Sequence, residues 1–287
     1  MLSQEGQRAV RFFGVDSLLN RAVEKLEGIL AGLGSVVVGF SGGIDSTYLA
    51  VIANKTLGGE KMLAITADSP SLPRDELLEC EELASELGMN LRVVTTDEFS
   101  NPNYLQNDEL RCFYCKSELM DALGPIAATI GAVVVLGVNA SDEGDYRPGQ
   151  KAAASKGARF PLKDAGMTKA MIREHSRILG ISNSEKPQAA CLSSRVPYGT
   201  PITLSILSRV ERAERFLRSL GLEQVRVRDY QEIARIEVGK DEIARCASHA
   251  VEIDAAIKQL GYSYATLDLG GFVSGNLNRN LNAATVR

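Results

Sequence analysis

Between residues 41 and 47 the chain reads Ser41-Gly42-Gly43-Ile44-Asp45-Ser46-Thr47: two adjacent glycines, three hydroxyls and one carboxylate. Adjacent glycines let the backbone turn tightly and present successive N–H groups. With a helix following, those donors and the helix's positive end make a site for a phosphate or pyrophosphate. Ser41, Ser46 and Thr47 add hydroxyl donors, and Asp45 is placed to hold a magnesium ion beside the phosphates. The commoner loop GxxxxGK[ST] needs a lysine that is absent from this stretch.

Cysteines supply the second chemistry. Cys112 and Cys115 form a CxxC, and Cys191 lies far downstream. Alone, a CxxC fits a redox pair, a zinc half-site or part of an iron–sulfur site. The redox reading expects a thioredoxin-like context that the phosphate loop does not supply. A closed zinc site wants four ligands, and His175 and His249 each fall within a predicted helix. Three thiolates fit a [4Fe–4S] cluster with one iron open to a further ligand such as sulfide, while zinc and free thiols remain alternatives. Cys80, on a Glu-rich helix, reads as a small packing residue.

Charged residues near these motifs divide between chemistry and surface. Lys116 follows the CxxC and either neutralises an anionic group or is a solvated helix lysine. Arg226 and Arg228 share one strand face, because side chains alternate with period two. Side-by-side guanidiniums repel unless an anion lies between them, which suggests a phosphate site; cross-strand pairing with Glu237 is the alternative. Asp142, Asp145 and Arg147 belong to a polar loop suited to closing over a nucleotide, or to a plain surface loop. Thr66 to Ser69 end a strand that would line the same crevice.

These residues need a scaffold. The β-branched run from Ser35 to Phe40 reads as a buried parallel strand. Leu49, Ile52 and Ala53 give the next segment helical spacing, stopped at Gly58-Gly59. An earlier helix spans about Asp16 to Gly34, with Asp16 or Ser17 as its cap. Further strands are expected at Lys61 to Ala67, Leu91 to Thr95 and Ala132 to Val138. Helices alternate with them at Pro73 to Leu87, after the CxxC, and at Thr168 to Leu179; Asp97 to Asp108 reads as a loop. Strands alternating with helices imply a doubly wound α/β parallel sheet. The Pro-rich stretch up to Pro201 suggests a domain boundary, giving domains 1–200 and 201–287. The second is a small α+β unit of order α-β-β-α-β: helix Leu204 to Leu220, strands Val225 to Arg228 and Ala234 to Val238, helix Asp241 to Leu260 and strand Tyr264 to Leu269.

A net charge of −4 argues against a surface dominated by nucleic-acid backbone contacts. No run of apolar residues is long enough for a membrane helix, and the N-terminus lacks the layout of a signal peptide. A cytoplasmic location follows as an expectation. Five cysteines without an export signal argue against a disulfide framework.

The loop SGGIDS resembles the PP-loop of ATP pyrophosphatases, which cleave ATP between its α and β phosphates and adenylate an oxygen. Together with DYRPGQKA (145–152), CLSSRVPYGT (191–200), VRVR and IARIEV, the chain resembles the LarE family of sulfur transferases over nearly its whole length. That resemblance implies an adenine nucleotide alpha-hydrolase-like fold. It also implies an ATP- and magnesium-dependent enzyme that converts a carboxylate of pyridinium-3,5-biscarboxylic acid mononucleotide to a thiocarboxylate, a step toward the nickel-pincer cofactor of lactate racemase. Ser41, Gly42, Gly43, Asp45, Ser46 and Thr47, with Ser69 and Arg147, would then hold ATP and magnesium. Cys112, Cys115 and Cys191 would ligate the [4Fe–4S] cluster, or Cys191 alone would donate sulfur. Lys116, Ser194 and Arg195 would belong to the active site. Arg226, Arg228 and Glu214 would bind the substrate phosphate. Sulfide or another sulfur donor would reload the enzyme, and the family forms homo-oligomers, some of them hexamers. A cluster-dependent tRNA thiolase and an ammonia-dependent PP-loop ligase are the competing classes.

Overall fold

The computed structural model describes residues 4–142, 148–186 and 190–273. The chain forms two compact units. The first comprises Met1–Asp68, Arg74–Thr96 and Cys115–Ala189; the second comprises Ser69–Pro73, Asp97–Tyr114 and Ala190–Arg287.

In the first unit, helix α1 (Gln4–Leu33) leads into strand β1 (Val36–Gly39), helix α2 (Ile44–Leu57) and strand β2 (Met62–Asp68). Helix α3 (Arg74–Glu86) and strand β3 (Leu91–Thr95) follow. The short helix α4 (Pro102–Leu105) belongs to the second unit, and helix α5 (Arg111–Thr129) begins there and continues in the first. Strand β4 (Val133–Leu136) and helices α6 (Pro148–Ser155), α7 (Pro161–Asp164) and α8 (Lys169–Ile178) complete the first unit. Its sheet has the order β3-β2-β1-β4, and every neighbouring pair is parallel. Val37 sits opposite Leu63 on one side and Val134 on the other.

The valines of β1 are fully buried because both sheet faces are covered. Val36 and Val38 join Leu26, Leu30, Leu49 and Ile52 in one apolar cluster. Val37 joins Ile65, Leu123 and Val134 in another. Side chains alternate across a strand, so a continuous apolar run is what a sheet with helices on both faces requires. The α/β parallel architecture expected from sequence is therefore present.

The second unit carries helix α9 (Leu204–Ser219), strands β5 (Arg226–Tyr230) and β6 (Ile233–Glu237), helices α10 (Ile243–Ser248) and α11 (Ala250–Gln259), and strand β7 (Tyr264–Leu267). β5 and β6 are antiparallel, and β7 joins β6 in parallel. Leu217, Val227, Ile236, Val238, Ile253 and Ile257 form its core.

Three expectations change. Residues 16 and 17 are interior to α1 rather than its cap, since the helix runs back to Gln4 and no proline interrupts it. The single helix expected from Asp241 to Leu260 is divided at His249. The His249 amide donates to the Cys246 carbonyl at 3.1 Å, an i→i−3 bond that tightens the turn. The stretch from Asp97 to Asp108 is not a plain loop, because a 3₁₀ turn (Glu98–Ser100) and α4 lie within it. Among the described residues, no helix is long and apolar enough to cross a membrane.

Candidate active site

The Gly-rich loop sits at the end of β1 and opens α2, whose N-cap is Gly43. Its hydroxyls organise the loop itself. Ser46 Oγ and Thr47 Oγ1 both donate to the Gly43 carbonyl, at 2.9 and 3.0 Å. The Ser41 amide donates to Ser46 Oγ at 3.2 Å, and the two serine hydroxyls lie 3.1 Å apart. Ser46 and Thr47 are buried, and these bonds shape the turn. Backbone N–H groups and the start of α2 give the loop its anion-binding capacity.

Two glycines are required by close approach. Gly42 has φ +64°, and a Cβ there would lie 2.8 Å from Cys80 Sγ. A Cβ on Gly137, just beyond β4, would lie 2.7 Å from the Ser46 amide. Cys80 is thus the floor of the turn, and burial pushes its thiol up to about 11, an inert packing group. Gly42→Ala is expected to cost roughly 1–2 kcal/mol for the left-handed backbone alone, with the sulfur clash added. Thermal unfolding should show the double change Gly42→Ala/Cys80→Ala recovering the clash and not the backbone cost. Parent-like stability in Gly42→Ala would contradict this geometry.

Asp45 is half-buried at the first turn of α2. Lys169 Nζ donates to its Oδ2 at 2.6 Å, while Asp45 Oδ1 is a buried acceptor with no hydrogen-bond partner among the described residues. Burial raises the Asp45 pKa, and Lys169 opposes that shift. Nearby Asp142 adds like charge, and its Oδ2 accepts from the Asn139 amide at 3.1 Å. Magnesium bound through one or two carboxylates plus substrate phosphates suits this donor set. Asn183 closes the far side: its Nδ2 donates to the Gly42 carbonyl at 2.9 Å and to Thr47 Oγ1 at 3.0 Å. Lys186 bridges Glu76 and Glu79 at 2.7 and 2.6 Å. Arg147 and Asp145 lie outside the described residues. Thr66 is buried and donates to the Phe40 carbonyl, and Ser69 folds with the second unit, where its Oγ accepts from the Ser71 amide.

In the second unit, Cys191 is a free, half-buried thiol at the cap of a 3₁₀ turn (Leu192–Arg195). That turn is held from several sides. Arg195, 2% exposed, donates to the carbonyls of Ala190 and of Cys191, the latter at 2.9 Å. It also grips Glu214 through Nε and Nη2 at 2.8 and 3.0 Å. Ser194 Oγ donates to the Cys191 carbonyl at 2.7 Å, and Arg228 Nη1 to the Ser194 carbonyl at 2.9 Å. Ser193 Oγ pairs with Ser71 and Tyr104 at 2.8 and 2.7 Å. Arg111, buried at the start of α5, donates to the Ser193 carbonyl at 2.9 Å and to Asn107 Oδ1 at 2.5 Å. Its guanidinium carbon lies 5.3 Å from the Tyr198 ring centroid. Burial works against the Arg111 charge, but Cys191 first and Cys112 second hold its pKa above the ordinary value. The guanidinium thus lies within electrostatic reach of the Cys191 sulfur.

The arginine pair of β5 departs from the picture of two bare guanidiniums. Arg228 grips Glu237 through Nε and Nη2 at 3.0 and 2.7 Å, the cross-strand alternative, with both groups buried. Arg226 Nη1 donates to the Val225 carbonyl at 2.7 Å, and its guanidinium carbon lies 5.3 Å from the Phe272 ring centroid. Burial, then the Arg195 charge, brings its pKa down to about 10, with Arg218 and Arg228 adding to the effect and Glu214 opposing it. Glu214 accepts from Arg195, Arg218 and the Val227 amide, so its carboxylate serves the arginines.

Cys112 and Cys115 lie three apart on the first turns of α5, hence on one helix face, with Cys112 exposed and Cys115 half-buried. Lys116 is exposed on the same helix. Among the described residues, no three His, Cys, Asp or Glu side chains are gathered so as to hold a metal ion. Thiolates are the chemically apt ligands for an iron–sulfur cluster. His175 is engaged with the Tyr48 hydroxyl at 2.6 Å and His249 lies near Glu252, which leaves neither as a zinc ligand.

Sequence reasoning did not single out Lys169, Asn183 or Arg111. For Arg111 a signal existed, since a basic residue directly precedes the CxxC. For the other two the contact spans more than a hundred residues.

A family model described as NAD synthase matches residues 18–108. Over 267 residues the chain is 43% identical to a protein of Synechocystis sp. described as uncharacterized, covering 92% of this chain and 99% of that one. It is 39% identical over 256 residues to the pyridinium-3,5-bisthiocarboxylic acid mononucleotide synthase of Lactiplantibacillus plantarum, covering 89% and 93% of the two chains. An NH(3)-dependent NAD(+) synthetase of Methanococcoides burtonii is 35% identical over 79 residues, 28% of this chain and 29% of its own.

Proposed function

Because the chain belongs to the family of the pyridinium-3,5-bisthiocarboxylic acid mononucleotide synthase, the LarE sulfur transferases built on a PP-loop, we propose that it adenylates a substrate carboxylate with ATP and then exchanges that carboxylate's oxygen for sulfur. It is an ATP-dependent sulfur transferase. The substrate in this reading is pyridinium-3,5-biscarboxylic acid mononucleotide, and the product serves nickel-pincer nucleotide synthesis.

In the first step a carboxylate oxygen attacks the α-phosphorus of ATP, and the bond to the β-phosphate breaks. Pyrophosphate leaves into the N–H donors of the Gly-rich loop, residues 41–47; Asp45 would hold a magnesium ion, which would supply charge neutralisation for the phosphates. In the second step a sulfur nucleophile attacks the acyl carbon and AMP departs with the carboxylate oxygen, leaving a thiocarboxylate. The observation that carries this reading is the free Cys191 thiol on a turn fixed by Arg195, Arg228 and Arg111. A thiol held on a rigid turn is suited to being presented to an acyl carbon in one orientation. In the sacrificial version, loss of the Cys191 α-proton breaks its Cβ–S bond and leaves dehydroalanine. In the reloading version, Cys112, Cys115 and Cys191 would hold a [4Fe–4S] cluster, and added sulfide would replace the sulfur delivered. Three cysteines outside any disulfide, two of them on one helix face, support the latter.

The test is direct. Protein purified without oxygen is assayed for iron and acid-labile sulfide, then given ATP, magnesium and the pyridinium nucleotide. Substrate-dependent pyrophosphate release with a thiocarboxylate product in the mass spectrum is expected. Amide formation from ammonia instead would move the chain to the ligase class.

The substrate phosphate is assigned to Arg226, whose pKa is lowered by burial and by three neighbouring guanidiniums, surroundings that an added anion would relieve. Inorganic phosphate at about ten times its Kd should raise Tm by roughly 3 °C in the parent. Arg226→Gln should lose most of that shift in a thermal melt, and an unchanged shift would place the anion elsewhere.

A further inference from the structure

The geometry points to Lys169 as an internal cation that occupies Asp45 until magnesium displaces it. The inference rests on the ATP-and-magnesium reading of the loop and not on the identity of the sulfur acceptor.

Lys169 is the first residue of α8, and Thr168 caps that helix by accepting from the Met171 amide. A helix N-terminus is where a positive charge is least favoured. Its placement there is explained by what the ammonium reaches, Asp45 Oδ2 at 2.6 Å. The main chain of Lys169 is fixed, because its amide donates to Ser141 Oγ at 3.1 Å. The side chain is about one-third exposed (32%), and Nζ, at the end of four methylenes, can swing without moving the helix.

The carboxylate, in contrast, is held within α2 and cannot follow. Only Oδ2 is engaged by Lys169; Oδ1 is a buried acceptor with no hydrogen-bond partner among the described residues. Oδ1 is closed off from solvent, so an arriving divalent cation would meet the carboxylate at Oδ2, the oxygen that Lys169 holds. The two cations would repel each other at that oxygen, and the doubly charged one is attracted to it more strongly. When the metal arrives with the nucleotide, the released ammonium stays beside phosphates that need positive charge. A surface ion pair with no further role would not require an orphaned oxygen or a lysine at the unfavourable end of a helix.

Manganese(II) serves as the probe, since binding removes the signal of the free ion in electron paramagnetic resonance. Without nucleotide, Lys169→Met is expected to bind manganese at least about tenfold more tightly than the parent, equivalent to about 1.4 kcal/mol. Lys169→Arg keeps the competing cation and should bind like the parent. Adding Asp45→Asn to Lys169→Met should abolish the gain. Lys169→Gln replaces Lys169→Met if that variant does not fold. Equal or weaker manganese binding by the neutral variants, absence of binding by all proteins, or a gain that survives Asp45→Asn would each overturn the assignment. Pyrophosphate release by the parent is measured separately, so a loop that does not cleave ATP and a lysine that does not compete are told apart.

Discussion

Glu214→Ala is expected to destabilise the second unit by about 3–5 kcal/mol, the scale for removing one partner of a buried ion pair. Glu214 is 1% exposed and accepts four hydrogen bonds: two from Arg195, one from Arg218 and one from the Val227 amide. Alanine would leave the Arg195 guanidinium buried without this carboxylate. Urea unfolding followed by a probe in the second unit measures the loss, and a shift in Tm on the order of 10 °C should accompany it. Glu214→Gln, which keeps the volume and one acceptor oxygen, should lose less. The pH dependence follows from the same pairing. Burial works to raise the Glu214 pKa, but the Arg195 charge and hydrogen bonds outweigh it and hold the carboxyl below its ordinary 4.5. A lowered folded pKa favours the charged form on folding. This contribution is complete at neutral pH and is lost as pH falls below about 4.5 toward the folded value. A loss under about 1 kcal/mol in Glu214→Ala would show that Arg195 finds other compensation.

Cys191→Ser should separate the two half-reactions. Sulfur transfer is expected to fall on the order of 10³-fold or more, as when a reacting group is removed. Pyrophosphate release in a single turnover should stay within a few-fold of the parent, because residues 41–47, Asp45 and Asn183 are untouched. The serine keeps the turn, since Arg195, Arg228 and Arg111 grip backbone carbonyls of residues 190 to 194 and not the thiol. Retained sulfur transfer in Cys191→Ser would remove Cys191 from the sulfur path. Mass analysis of Cys191 after turnover of the parent distinguishes the two routes: loss of hydrogen sulfide marks the sacrificial one, and an intact thiol marks reloading.

The strand–loop–helix around Gly42 and Gly43 was legible because its determinants are local. A β-branched run, two glycines and a helical repeat each constrain their own neighbours. The α-β-β-α-β order after residue 200 was legible for the same reason, although the turn at His249 was not, since no proline or glycine marks it. What the loop's hydroxyls do was not legible. Ser46 and Thr47 carry the composition of phosphate ligands, yet both fold back onto the Gly43 carbonyl. Lys169 and Asn183 reach the loop across separations that no periodicity encodes. Arg226 and Arg228 share one strand, but the register sets Glu237 opposite Arg226, and its diagonal bond to Arg228 is a property of the folded sheet.

The interleaving of the two units sets an order of assembly during synthesis. The first unit is complete in sequence by Ala189, whereas the second needs Ser69–Pro73 and Asp97–Tyr114 to wait for everything from Ala190 onward. Those early segments must wait for their partners to be synthesised, and long loops close late. Cys191 would then reach its fixed turn only after the first unit has folded, so the step that positions this thiol is expected to come last.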